Sequence, residues 1–151
     1  MNGATHLIGS VTVAALLEIH SPVSLLIVAV ASLLPDIDRA NSLMGRFVPI
    51  LPTALEQSFG KRTITHSLIF GLGIWLLLGF HASWQWPFLV GYGSHLLLDL
   101  FTGRIALLWP IPFKFGVPLF GIPPVFVESL SLAGWGAWMV LEGYQYFQIL
   151  F

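Results

Sequence analysis

Residues 91–101 read GYGSHLLLDLF, an apolar run that carries one imidazole and one carboxylate, His95 and Asp99. At 3.6 residues per turn, side chains four positions apart project from one side of a helix. The stretch is therefore an oily helix with two groups placed to bind one ion. A charged Asp inside a membrane helix costs about 2.5–3.5 kcal/mol on insertion scales, so it ordinarily has a partner and a function. A His–Asp hydrogen bond joining two helices is the plain structural alternative.

The rest of the chain shares this character. Of its 151 residues, 56% are hydrophobic and 9% charged, with a mean hydropathy of +0.86. A soluble domain carries about a quarter charged residues, so composition points to a membrane class. The length allows one integral membrane domain, residues 1–151, of about five spans. The formal net charge of −1 offers no basic surface and excludes nucleic acid as a partner. Without cysteine there are no disulfides and no thiolate metal ligands. The start, MNGATHLIGS, lacks the basic residues of a secretory signal. Glu18 and His20 interrupt the apolar run before VAVAS at 28–32, so the first segment is expected to be retained.

Apolar segments lie at roughly 4–19, 22–34, 67–80, 86–101 and 129–149. Ser21-Pro22 reads as an N-cap followed by Pro at the first helical position, which predicts a tight helical hairpin between the first two. Ser83-Trp84-Gln85-Trp86-Pro87 is expected to turn the chain into the fourth segment. Trp135, Trp138, Tyr144 and Tyr146 on the fifth favour a membrane interface. The segments are short: residues 22–34 would span about 20 Å, less than a hydrocarbon core of ~30 Å. Between Ile105 and Val127 stand Pro110, Pro112, Pro118, Pro123 and Pro124, which a regular spanning helix does not tolerate. The expected fold is thus all-α: a polytopic membrane bundle of about five short spans with a Pro-rich re-entrant or interfacial loop.

Every basic residue lies in one of two loops: Arg39, Arg46, Lys61 and Arg62 in the first, Arg104 and Lys114 in the second. The positive-inside rule makes both loops cytoplasmic, and five spans then put the N-terminus on the cytoplasmic side. Counting spans then brings His6, Asp36, Asp38, His66, His95 and Asp99 to the cytoplasmic boundary and leaves His20 and His81 at the opposite one. In Leu34-Pro35-Asp36-Ile37-Asp38 two carboxylates follow a helix end, where they oppose the helix dipole. Both could ligate, or one could ligate while the other orients a histidine or acts as a base. Arg62-Thr63-Ile64-Thr65-His66-Ser67 supplies a further imidazole and a guanidinium suited to an anionic substrate. Thr65 or Ser67 is placed to cap the following helix. Glu128, Asn41, Thr65 and Ser67 are candidates to support the ligands from behind.

Three His and three Asp make a nitrogen and oxygen donor set. It suits zinc, manganese or iron, and six donors leave room for one or two ions. Such a site would activate water, with Asp36, Asp38 and Arg62 as the catalytic candidates.

On Thr5-His6, LLPDIDRANSLMGR at 33–46, RTITHS at 62–67 and GSHLLLDLFTGRIALLWP at 93–110, the chain resembles the LexA-regulated, membrane-bound metal-dependent hydrolases of the inner membrane. Glu128 falls where that family tends to place an acidic residue. The order of motifs is in turn similar to zinc-dependent phospholipase C. The resemblance implies that His6, Asp36 or Asp38, His66, His95 and Asp99 are zinc ligands and that the reaction class is hydrolysis, without giving a substrate. Ligand chemistry, expected topology and resemblance together lead to the expectation of a phosphoester or other ester bond, in a lipid or lipid-linked substrate, cleaved at the cytoplasmic face. One departure stands out. Family members often have His-Arg where this chain has Lys61-Arg62, and a protonated lysine is not a metal ligand. The competing expectations are a metal or proton transporter using the same residues, and a non-enzymatic membrane protein in which a metal staples short helices.

Overall fold

Pro22 starts a helix because it lacks the N–H that the first turn leaves unused, and Ser21 precedes it in extended conformation without a side-chain cap bond. The computed structural model describes residues 3–48, 50–117 and 124–150. They form helices α1 (Gly3–Leu16), α2 (Pro22–Leu33), α3 (Ile50–Phe59), α4 (Leu68–Leu77), α5 (Ala82–Thr102) and α6 (Pro124–Leu150). Short 3₁₀ turns cover Pro35–Asp38, Gly45–Phe47, Ile64–His66 and Leu78–Phe80. Glu18, at φ 57°, reverses the chain between α1 and α2, so the expected hairpin forms.

Two local expectations change. Helix α3 arises inside what reads as one long loop. The Ser83–Pro87 stretch is helical: Pro87 lies early in α5, where its ring forfeits a single bond to the Ser83 carbonyl. Gln85 Nε2 donates to the Trp75 carbonyl at 3.2 Å and ties the start of α5 to α4.

The expected five-span bundle is not what forms. Among the described residues, no helix is long and apolar enough to cross a membrane. Helices α1, α2 and α4 have 14, 12 and 10 residues, about 15–21 Å against a ~30 Å hydrocarbon core. Helices α5 and α6 have 21 and 27 residues, but Ser83, Gln85, Ser94, His95, Asp99 and Thr102 dilute the first, and Glu128, Glu142, Gln145 and Gln148 the second. The multi-pass topology, and with it the assignment of the basic loops and N-terminus to one membrane face, needs spans that these helices do not provide. The Pro-rich segment is described as far as Val117; Pro118 and Pro123 lie outside the described residues, as do the side chains of Pro124, Tyr144 and Tyr146. Ile105 and Phe115 exchange backbone bonds of 2.8 Å in a lone antiparallel bridge, and there is no strand among the described residues. Ala106 N–H donates to the Arg62 carbonyl and Val117 N–H to that of Leu100, which lays this segment against the helices.

Helix α5 is the centre of the packing. Ala31, Phe88, Tyr92, Leu96 and Ile105 form one buried cluster, and Ala14, Ile19, Val28 and Val90 another. Gly91 lets α5 approach α2 so closely that a Cβ there would strike the Val28 carbonyl. Gly91→Ala is therefore expected to destabilise the fold by about 1–3 kcal/mol. Gly93→Ala, with nothing within 4 Å, should leave the thermal unfolding midpoint unchanged or raised. Equal midpoints for the two variants would contradict this close α2–α5 contact.

The distribution of polarity inverts the usual one. The most deeply buried side chains include His6, His66, His95, Asp38, Asp99, Thr5 and Thr65, whereas Ile50, Phe80 and Leu130 are 83%, 89% and 77% exposed. An apolar exterior of this extent marks a surface that meets membrane or protein.

Candidate metal centre

The buried polar groups converge because four elements end at one place. Helix α1 supplies His6, the 3₁₀ turn after α2 supplies Asp36 and Asp38, the turn before α4 supplies His66, and α5 supplies His95 and Asp99. Pro35 prevents α2 from continuing, and the tight turn aims both aspartates inward, at 2% and 1% exposure. Ser67 caps α4 by accepting the Phe70 N–H at 3.1 Å, which leaves His66 on the inner side of that junction. Arg62 precedes it at φ 55°, and its backbone N–H donates to Asp38 Oδ2 at 2.8 Å.

Asp36, His66, His95 and Asp99 each offer one ligand atom, all within 4.8 Å of one another, and all four residues are buried. Two ligands about 2.1 Å from a tetrahedral ion stand roughly 3.4 Å apart, so small side-chain movements would close the group on an ion. Its donors fit one. The Nε2 atoms of His6, His66 and His95 are buried and make no hydrogen bond among the described residues, a costly arrangement unless something else satisfies them. His95 Nδ1–H donates to the Ser32 carbonyl at 2.6 Å. That bond selects the tautomer in which Nε2 presents its lone pair. His66 Nε2 lies 3.2 Å from Asp99 Oδ2 and 3.9 Å from Asp36 Oδ1, and His95 Nε2 lies 3.7 Å from Asp99 Oδ2. This group could hold a metal ion.

The other two predicted ligands flank the four. His6 stacks on His95 with ring centroids 3.7 Å apart, and its Nε2 is 3.3 Å from Asp99 Oδ1. Asp38 Oδ2 is 3.6 Å from His66 Nδ1, the position from which a carboxylate orients a ligating histidine. Arg62 Nη2 is 3.3 Å from Asp99 Oδ1, and Arg39 Nη1 is 3.4 Å from Asp36 Oδ1. Three carboxylates thus face two guanidiniums, and a divalent cation would compensate the excess negative charge.

Protonation favours the same state. Burial, reinforced by His6 and His66, holds the His95 imidazole well below its ordinary pKa, although Asp99 pulls the other way. Burial pushes Asp99 up, but the close His6 and His66 imidazoles, with His95 and Arg62 nearby, outweigh it and keep the carboxyl well below the usual range. A neutral imidazole beside an ionised carboxylate is the ligand form. Asp38 is displaced upward by burial, partly offset by His66 and the Arg62 N–H. The His95 shift has a consequence for metal-depleted protein. Below about pH 6.5 the unfolded chain takes up a proton that folded His95 refuses, so stability falls as pH falls, by up to about 1.4 kcal/mol per pH unit. Urea titrations of chelated protein between neutral and mildly acidic pH will show that slope; a flat profile would contradict it.

The supporting candidates are placed as follows. Thr65 Oγ1 is 3.2 Å from His66 Nδ1, and Ser67 caps α4. Glu128 Oε1 accepts from Thr5, the neighbour of His6, at 2.9 Å. Asn41 is exposed, on a cleft beside Asp36. Lys61, where the resembled family often has His, turns to Glu56 at 3.1 Å and is 70% exposed. His20 and His81 are surface residues outside the group, the latter stacked on Trp84. Three contributors are invisible in the sequence. The Ser32 carbonyl carries no residue-type signal. The Tyr92 hydroxyl donates to the carbonyls of Thr65 and Ser67, bracing the His66 turn. Ser10 and Ser94 meet at 2.6 Å between α1 and α5, a pair that only the packing reveals.

Fold and site together define a helical protein with an apolar exterior and a buried His/Asp cluster. The chain belongs to the YdjM inner membrane protein family, whose pattern matches residues 1–150, and this supports a place at the inner membrane. It is 36% identical over 163 residues to the uncharacterized protein YvsG of Bacillus subtilis, covering all of this chain and 97% of that protein. It is 32% identical over 121 residues to the inner membrane protein YdjM of Escherichia coli, covering 71% of this chain and 61% of that one. The YdjM protein of Shigella flexneri matches to the same extent. No solved structure matches the chain.

Proposed function

We propose that the protein is a metal-dependent hydrolase of the inner membrane, cleaving a phosphoester or ester bond in a lipid or lipid-linked substrate. The observation that carries this reading is the buried group of Asp36, His66, His95 and Asp99, whose ligand atoms all lie within 4.8 Å of one another. Asp36, His66, His95 and Asp99 would hold a zinc ion, or manganese or iron in its place. When bound, such an ion supplies an activated water and polarises the scissile oxygen. Asp38 steadies His66, and its Oδ1, without a hydrogen-bond partner, is available to accept a proton. Arg62 balances the charge of Asp99 and stands beside the site to meet a substrate anion. His6 packs against the face of His95 and limits the motion of that ring. The resemblance to metal-dependent hydrolases supports the reaction class. Purified protein is expected to carry about one metal ion per chain and to release product from a phospholipid or phosphodiester panel in a chelator-sensitive way. Stoichiometric metal with no turnover across such a panel would sink the hydrolase reading.

The depth of the cluster favours a second reading, in which the ion only joins α1, the turns and α5. It predicts that chelation unfolds the protein and that no ester is turned over.

A further inference from the structure

Beside the cluster, sharing Asp36 with it, lies a cleft of about 290 Å³ lined by Gly3, Ala4, Asp36, Arg39, Asn41, Ser42, Leu43 and Arg46. The two guanidiniums stand on one loop whose shape is built in. Ser42 Oγ donates to the Asp36 carbonyl at 2.6 Å and accepts the Gly45 N–H at 2.8 Å. Ser42 N–H in turn donates to the Arg39 carbonyl at 2.9 Å. Residue 45 has to be glycine, because a Cβ there would collide with that same Arg39 carbonyl. Gly3 and Ala4 belong to the first turn of α1, the end at which a helix carries its positive partial charge. Among the described residues Asp36 is the one carboxylate lining the cleft, and its Oδ1 lies 3.4 Å from Arg39 Nη1 and 3.9 Å from His66 Nε2. Arg39, Arg46, Asn41 and the start of α1 therefore line one space together with Asp36, a candidate metal ligand.

We propose that this cleft is a binding subsite for a phosphoryl group, held by Arg39, Arg46 and Asn41 next to Asp36. Guanidinium forks match phosphate oxygens in pairs, and each charge-assisted bond adds more than a neutral one. The proposal deepens the hydrolase reading by naming a phosphorylated substrate, and it rests on that reading for what happens after binding. Binding itself requires only the cleft.

The test measures inorganic phosphate binding by calorimetry, and co-sedimentation with phosphatidylcholine vesicles made with and without phosphatidate. Wild type, Arg46→Gln and Arg46→Lys are compared, with metal content read in the same samples. Arg46 is exposed and makes no ion pair among the described residues, so its loss should leave the unfolding midpoint in place. Wild type is expected to bind phosphate, Arg46→Gln to weaken it on the order of ten-fold, and Arg46→Lys to retain part of it. Phosphatidate-dependent sedimentation lost in Arg46→Gln supports the proposal and identifies the source as a lipid headgroup. Binding of free phosphate alone supports it with a soluble source. Equal binding by wild type and Arg46→Gln in both arms overturns it. Metal retained with no phosphate binding overturns the subsite and leaves the metal centre standing, whereas phosphate bound by a metal-free chain supports the subsite and removes the metal centre.

Discussion

Protein carrying His95→Ala is expected to emerge from purification without its metal. Wild-type His95 is fully buried, and its Nδ1–H is committed to the Ser32 carbonyl at 2.6 Å. Its Nε2 is consequently the atom offered to the other ligands. His6 stacks on the face of the same ring with its own Nε2 3.3 Å from Asp99 Oδ1, so it already occupies a separate position beside the group. Structural zinc sites bind with about 10–16 kcal/mol, so one of four ligands accounts for roughly 3 kcal/mol, or at least about 100-fold in affinity. Elemental analysis after dialysis, followed by competition with a zinc-binding dye, measures both numbers. His20→Ala, at an exposed position, is the control and should keep the wild-type ratio. Equal metal in His95→Ala and wild type would remove the site as described.

The second large effect is on stability. Asp99 sits in contact range of His6, His66, His95 and Arg62 while itself 0% exposed. Asp99→Ala leaves the Arg62 guanidinium without this carboxylate and three imidazoles around a small void. Breaking a buried ion pair by deleting one partner costs about 3–5 kcal/mol. The lower end applies here, because Arg62 is 21% exposed and can turn its charge toward water. In urea, Asp99→Ala should unfold well before chelated wild type, since chelation removes the ion but keeps the charge pair. Coincident curves for the two would mean that Asp99 acts only through the metal.

Much of the site was legible because its chemistry is written in residue types. His95 and Asp99 four apart, and Asp36 and Asp38 after a helix-stopping proline, are rare in an oily chain, and these positions do come together. Their division of labour was not legible. Nothing in the spacing distinguishes Asp36, whose oxygen joins the ligand group, from Asp38, which faces the back of His66. The helices were legible for the same reason as the apolar segments, whereas α3 was not, because its amphipathic stretch reads as loop. Crossing a membrane was a different matter. Composition counts apolar residues along the whole chain, but spanning requires them uninterrupted within one long helix. Here the length and the apolar density fall on different elements: α4 is oily and short, and α5 is long and carries the site.

The placement of the ligands also sets an order of events during synthesis. His6 leaves the ribosome first and Asp99 last among the residues that meet in the cluster, so no partial chain ending before α5 can complete it. Until then, the imidazoles and carboxylates have water as their partner, and only the arrival of α5 gives them a reason to leave it. Completion of the group that could hold an ion and closure of the helices around it are therefore one late step, and a nascent chain halted before residue 95 is expected to bind metal more weakly than the full chain.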